Sequence, residues 1–128
     1  MKASVIISTM NRPSSLLRLT KNLVTQDLIP NEVIIVEAGG FSWTQAMVPN
    51  DLHMDYVFID AKDTSLSQAR ELGRVSAENE ILIFLDDDVI LPKSYISDVI
   101  KALSADDSTI GVGGAYRDSG HVEKKAWK

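Results

Sequence analysis

Three consecutive aspartates, Asp86-Asp87-Asp88, follow directly on the apolar run Ile81-Leu82-Ile83-Phe84-Leu85. Adjacent carboxylates repel one another, and packing alone gives no reason for three of them at the end of an apolar strand. Hard oxygen ligands suit Mg²⁺ or Mn²⁺, ions that also bridge the phosphates of a bound nucleotide. The plain alternative is a solvated acidic turn leading into the next element. Position favours the chemistry: Thr9-Met10-Asn11-Arg12, Glu37-Ala38-Gly39-Gly40 and Asp60 also close short apolar runs. In open parallel sheets, ligands bind outside the carboxyl ends of the strands, near the switch in strand order. The edge so formed is polar, acidic and glycine-rich, as a divalent cation and a nucleotide require.

The elements that must deliver these residues are legible in the hydrophobic pattern. Residues 4–9 are β-branched and apolar at the centre, the mark of a strand buried on both faces. Pro13, Ser14 and Ser15 favour a helix start, and Leu16, Leu19, Leu23 and Val24 recur at helical spacing. Residues 32–37 form a second buried strand, which ends at glycines that permit unusual backbone conformations. Residues 41–54 suit either a short helix or a loop. Residues 56–60 read as a third strand, followed by a helix over about 65–78, with Leu66, Ala69, Leu72 and Gly73 as a weak stripe. Of these, Leu66, Ala69 and Gly73 are expected to pack inward, which leaves Arg70 free to approach the edge. The run at 81–85 is a fourth, buried strand. A helix after Pro92 carries Tyr95, Ile96, Val99, Ile100 and Leu103 on one face, and residues 110–116 suggest a fifth strand. Strands alternating with helices predict right-handed crossovers and a mostly parallel sheet covered on both faces, an α/β/α sandwich.

Composition narrows the function. The 128 residues fit one domain, and 45% hydrophobic with 24% charged residues is ordinary for a globular chain. The absence of cysteine removes disulfides, thiolate metal sites and thiol catalysis, and suits a reducing cytosol. A net charge of −5 argues against nucleic acid and anionic membrane surfaces as partners. No apolar run approaches the length of a membrane span or a signal-peptide core. The expected location is the cytoplasm, including its membrane face.

Five segments in order carry a family resemblance: S-V-I-I-S-T-M-N-R-P at 4–13, E-V-I-I-V-E-A-G-G at 32–40, S-Q-A-R-E-L-G at 67–73, I-F-L-D-D-D at 83–88 and G-V-G-G-A-Y-R at 111–117. The chain resembles the nucleotide-sugar-binding portion of inverting family 2 glycosyltransferases of the GT-A, Rossmann-like fold, from Ser4 to about Arg117. The resemblance implies that Thr9 and the backbone around Asn11 border the nucleoside, and that Glu37 stands where a family aspartate meets base or ribose. It implies that Arg70 reaches the nucleotide, Asp87 contacts the ribose hydroxyls and Asp88 coordinates Mn²⁺ or Mg²⁺. Asp86, in the same nucleotide-binding set, shapes the turn. The implied donor is a nucleoside diphosphate sugar, a UDP-sugar favoured, with an unidentified acceptor.

Each role has a plainer alternative. Arg70 can be a surface charge paired with a neighbour such as Glu71, Glu37 a solvated strand end and Asn11 a helix cap. Asp60 and Asp63 can merely end a strand. His53 and His121 read as surface residues, and Trp43 and Trp127 as packing. The chain also departs from the family pattern. Met10 replaces an aromatic residue, Glu37-Ala38-Gly39-Gly40 replaces Asp-Asp-Gly-Ser, and Glu71 replaces an asparagine.

In the family, the acceptor site and the catalytic general base lie in a C-terminal half. The expected division is therefore a single, truncated donor-binding domain at 1–117 and a polar tail at 118–128, inactive alone and without a catalytic residue of its own. A non-enzymatic nucleotide-binding or regulatory module is the alternative. A phosphorelay receiver is disfavoured, because Ser8-Thr9 stand where its carboxylates belong. In the GT-A fold a later strand separates the fourth from the fifth. Either a homodimer completing the sheet edge or the tail from Arg117 onward is expected to fill that gap.

Overall fold

The computed structural model of the chain describes residues 2–51, 53–114 and 125–127. Its elements are β1 (Ala3–Thr9), α1 (Pro13–Val24), β2 (Glu32–Glu37), a 3₁₀ turn (Gln45–Met47), β3 (Asp55–Asp60), α2 (Leu66–Ser76), β4 (Ile81–Asp86), α3 (Tyr95–Ser104), β5 (Gly111–Gly113) and β6 (Lys125–Trp127). The first four strands form one parallel sheet in the order β3-β2-β1-β4. Helices cover both faces. Leu16, Leu19 and Leu23 of α1 and Ile96 of α3 pack with Val5, Ile7, Val33, Ile35, Ile83 and Leu85 on one side. On the other, Ala69 of α2 packs with Ile6, Ile34 and Val36. The sandwich expected from the pattern is present.

Small residues explain how α2 lies so close to the sheet. A Cβ on Gly73 would overlap Ile6 Cγ2, so the glycine admits the strand's side chain. Ser65 caps the helix in a reciprocal box: its Oγ accepts from the Gln68 amide at 3.2 Å, while its own amide donates to Gln68 Oε1 at 2.8 Å. The helix ends at Ser76, two residues short of expectation. Ala77 turns extended, and the Glu78 amide donates to Glu32 Oε1 at 3.1 Å.

Three further expectations change. Leu66 is exposed, because the first residue of α2 stands at the rim where the strands have already ended. β4, expected to be a buried strand, borders the described sheet, and Ile81, Ile83 and Leu85 are buried while Phe84 is exposed. The fifth strand spans only Gly111–Gly113 and pairs antiparallel with β6, apart from the parallel sheet. Residues 125–127 of the polar tail supply that partner strand, and among the described residues the tail does not pair with β4. Tyr116, Arg117 and His121 lie outside the described residues.

Candidate functional site

Parallel register brings the polar strand ends to one edge. Thr9 pairs with Glu37, Glu37 with Asp60, and Ser8 with Asp86. Since β1 lies between β2 and β4, the strand order reverses there, where an open sheet leaves a crevice for a ligand.

At that crevice Asp87 is held from two sides. Thr9 Oγ1 donates to Asp87 Oδ2 at 2.8 Å, and Arg12 Nη1 donates to Asp87 Oδ1 at 3.2 Å. The Asp87 side chain is only 8% exposed, whereas that of Asp88 is 58% exposed, with one oxygen 3.6 Å from Arg12 Nη1. Arg12 therefore bridges both carboxylates. Its hydrogen bond to Asp87, then the charges of Asp87 and Asp88, hold the guanidinium proton above even its ordinary range. Arg12 also occupies the N-cap position of α1, with Pro13 at the first helical position. Asn11 is not the helix cap; it adopts a left-handed φ of 52°.

Glu37 is not a solvated strand end. It is 2% exposed, and its carboxylate accepts three N–H groups. Oε1 takes the amides of Asn11 (3.0 Å) and Gly39 (2.8 Å), and Oε2 takes the indole N–H of Trp43 (2.9 Å). Multiple hydrogen bonds are what a buried carboxylate needs to replace lost water. The indole lies 4.7 Å, centroid to centroid, from the ring of Phe41. With Phe58, Ile59 and Asp60, Glu37 and these rings line a cavity of about 140 Å³ beside the crevice. A larger depression of about 240 Å³, lined by Lys2, Glu78, Asn79, Glu80 and Ile81, lies at the opposite edge. None of the residues singled out above for nucleotide or metal lines it.

Arg70 does reach the edge. Its Nη2 stands 3.4 Å from Asp86 Oδ1, with both side chains largely exposed, a pairing that solvent weakens. Glu71 pairs with Arg74 at 2.6 Å instead, which lowers the carboxyl pKa of Glu71. Asp60 accepts from the Lys62 amide, and His53 is exposed as expected. The structure thus gathers Thr9, Asn11, Glu37, Asp86, Asp87, Asp88 and Arg70 along one edge.

Trp43 packs into the core as expected, but sequence reading missed Arg12 and the hydrogen bond that the Trp43 indole makes to Glu37. It also missed two amides that bond the backbone beyond the aspartates: Asn22 on α1 and Gln26 just past its end. Only the position of Arg12 beside the first-strand motif offered a signal for any of them.

The donor chemistry fits a divalent cation in part. Hard carboxylate oxygens are available, and Asp88 is the open one. Among the described residues, however, no three Asp, Glu or His side chains converge. Such an arrangement suits Mg²⁺ or Mn²⁺ held by one or two carboxylates together with phosphates, and not a cage built by protein alone.

Residues 4–128 match the model of Glycosyl transferase family 2, so the chain belongs to that family. An uncharacterized glycosyltransferase, YwdF, of Bacillus subtilis is 29% identical over 84% of this chain and 40% of its own length. The cholesterol galactosyltransferase of Borreliella burgdorferi is 28% identical over 85% of this chain and 31% of its length. The chain therefore spans less than half the length of either relative. Among solved structures, a chain of S. aureus TarS comprising residues 1–349 superposes with a TM-score of 0.66 at 20% identity, covering 91% of this chain and 42% of that one. That likeness places the fold in the GT-A class. Among the described residues, no helix is long and apolar enough to cross a membrane.

Proposed function

We propose that the chain is the donor-binding portion of an inverting glycosyltransferase and takes a nucleoside diphosphate sugar, a UDP-sugar above others. The observation that carries this reading is the Thr9–Asp87–Arg12–Asp88 cluster at the β1/β4 crevice of a family 2 chain. TarS has been crystallised with UDP and with UDP-GlcNAc, which supports uridine as the base.

In this reading Thr9, the Asn11 turn and Asp87 border the nucleoside and ribose. Asp88 holds Mn²⁺ or Mg²⁺, which when bound neutralises charge on the departing diphosphate. Arg12 and Arg70 supply further positive charge, and Asp86 keeps Arg70 at the rim. Glu37 acts one step back, fixing Asn11 and Trp43. During transfer the anomeric carbon bonds to the acceptor oxygen, its bond to the diphosphate breaks, and the acceptor proton passes to a base. That base, like the acceptor site, belongs to sequence outside the 1–117 domain. We place the protein in the cytoplasm, a location with which a cysteine-free sequence is compatible.

Calorimetry with UDP tests the reading. Binding should tighten when Mn²⁺ replaces EDTA in the buffer, and Asp88→Ala should remove that gain while leaving the melting temperature nearly unchanged. A wild-type chain whose UDP affinity ignores the metal would sink it.

A further inference from the structure

Residues 18, 22 and 26, spaced by four along α1 and just past its end, all bond to the segment that follows the aspartates. Arg18 Nη2 donates to the Asp88 carbonyl at 3.3 Å. Asn22 makes a two-way pair with Leu91, its Nδ2 donating to the carbonyl (3.1 Å) and its Oδ1 accepting from the amide (2.7 Å). Gln26 extends the pattern: Nε2 donates to the Pro92 carbonyl (2.8 Å) and Oε1 accepts from the Ile96 amide (3.1 Å). The Asp27 amide adds a bond to the Lys93 carbonyl at 3.0 Å. Arg18 and Asn22, four apart, share one face of α1, and Gln26 just past its end continues the row, so the three side chains form a ladder that grips residues 88–96 by their backbone.

Packing alone does not ask for this arrangement. Gln26 is 5% exposed, a position where an apolar side chain would serve burial better unless the amide has partners to satisfy. A side-chain amide that both donates to and accepts from the same stretch of backbone fixes its position and its orientation together. The bonded segment begins at Asp88, whose carboxylate is otherwise restrained by one long contact to Arg12.

We infer that Arg18, Asn22 and Gln26 are positioning residues that set the direction of the Asp88 carboxylate toward a cation shared with a diphosphate. The inference rests on the donor-site reading above and adds to it a means by which α1 controls metal affinity. Thr9 and Arg12 hold Asp87 by its side chain, while Arg18 holds the Asp88 carbonyl and Asn22 and Gln26 anchor the backbone that follows, at Leu91, Pro92 and Ile96. Outer partners that orient a metal ligand typically govern about 10–100-fold in metal affinity.

Two variants test it: Arg18→Met, at a position whose bond lies at the surface, and the double variant Asn22→Leu/Gln26→Met, which keeps side-chain volume without the hydrogen bonds. Amide hydrogen exchange over residues 87–96 and UDP affinity in Mn²⁺ and in EDTA are measured for each. The double variant should exchange faster in that segment while β1 and β2 stay protected. It should also lose about tenfold or more of its UDP affinity in Mn²⁺, with affinity in EDTA unchanged. Arg18→Met should show the same pattern at smaller amplitude. Unchanged exchange, unchanged Mn²⁺ dependence, or equal losses with and without metal would each overturn the inference. A wild-type chain indifferent to Mn²⁺ would overturn the donor-site reading instead, and the exchange result would then decide whether the ladder restrains the segment.

Discussion

Asp87 and Asp88 are neighbours in sequence and opposites in environment. Asp87 is sequestered by Thr9 and Arg12, whereas Asp88 faces solvent over more than half its side chain. That contrast separates a group that organises the crevice from one open to a cation. A similar distinction applies to Glu37, whose three N–H partners leave it organising the turn after β2. Glu37→Gln turns an amide donor toward at least one of those donors. We expect a loss of about 1–3 kcal/mol in urea unfolding, the range for a buried polar group left unpaired. Tyr56 offers a pH test. Burial, helped by the charge of Asp51, pushes its pKa up to about 12, and its hydroxyl is buried without a hydrogen-bond partner. The unfolded chain loses that proton near pH 10 while the folded chain keeps it, so stability falls as pH rises from about 10 to 12. Tyr56→Phe should flatten that alkaline decline and leave stability at neutral pH unchanged or slightly higher; an unaltered alkaline profile would contradict this origin. The acidic triplet and Thr9 stood out in the sequence because they end apolar runs. Asn22 and Gln26 did not, because amides that bond a distant backbone leave no local pattern.

Elements were more legible than contacts. The β1, β2 and β3 runs and the α1 stripe appear where hydrophobic spacing put them, since burial on a sheet or helix face enforces that spacing. The errors lie where tertiary context overrides it. Leu66 keeps helical phase with Ala69 and Gly73 but stands past the sheet's rim. Phe84 belongs to an apolar run, yet its strand has a neighbour on one side only among the described residues. Gly73 was legible as a small residue, although its reason, the Ile6 side chain seated against it, was not. Gly73→Ala should destabilise the fold by about 1–3 kcal/mol through overpacking, despite alanine's better helix propensity. A stabilised variant would show that α2 can lift from the sheet at no cost. Because α2 carries Arg70, such a shift would also move the guanidinium at the rim.

For the whole molecule, the open side of β4 is the main unpaired margin of the described sheet on the side of the acidic turn. Its edge backbone groups face no strand among the described residues, and Phe84 is 44% exposed beside them. Free edges of this kind recruit further strands. We propose that a second copy of the chain covers this edge in solution, and light scattering should then report a dimer that Phe84→Glu dissociates. A monomer at all concentrations would rule the pairing out. The family relatives are more than twice as long as this chain's share of them, so a chain extended to their length that stays monomeric would point to cover from the additional sequence.

The bonds that tie the acidic turn to β1 and α1 span 66 to 78 residues of sequence. During synthesis from the N-terminus, β1, α1, β2, β3 and α2 are all complete before Asp86 exists. Asp87 cannot meet Thr9, nor Leu91 meet Asn22, until β4 has docked beside β1. Closing so long a loop carries an entropic penalty that only the finished sheet repays. During synthesis the crevice can therefore close only after the fourth strand has been made and seated, and we expect UDP capture by a growing chain to mark that moment.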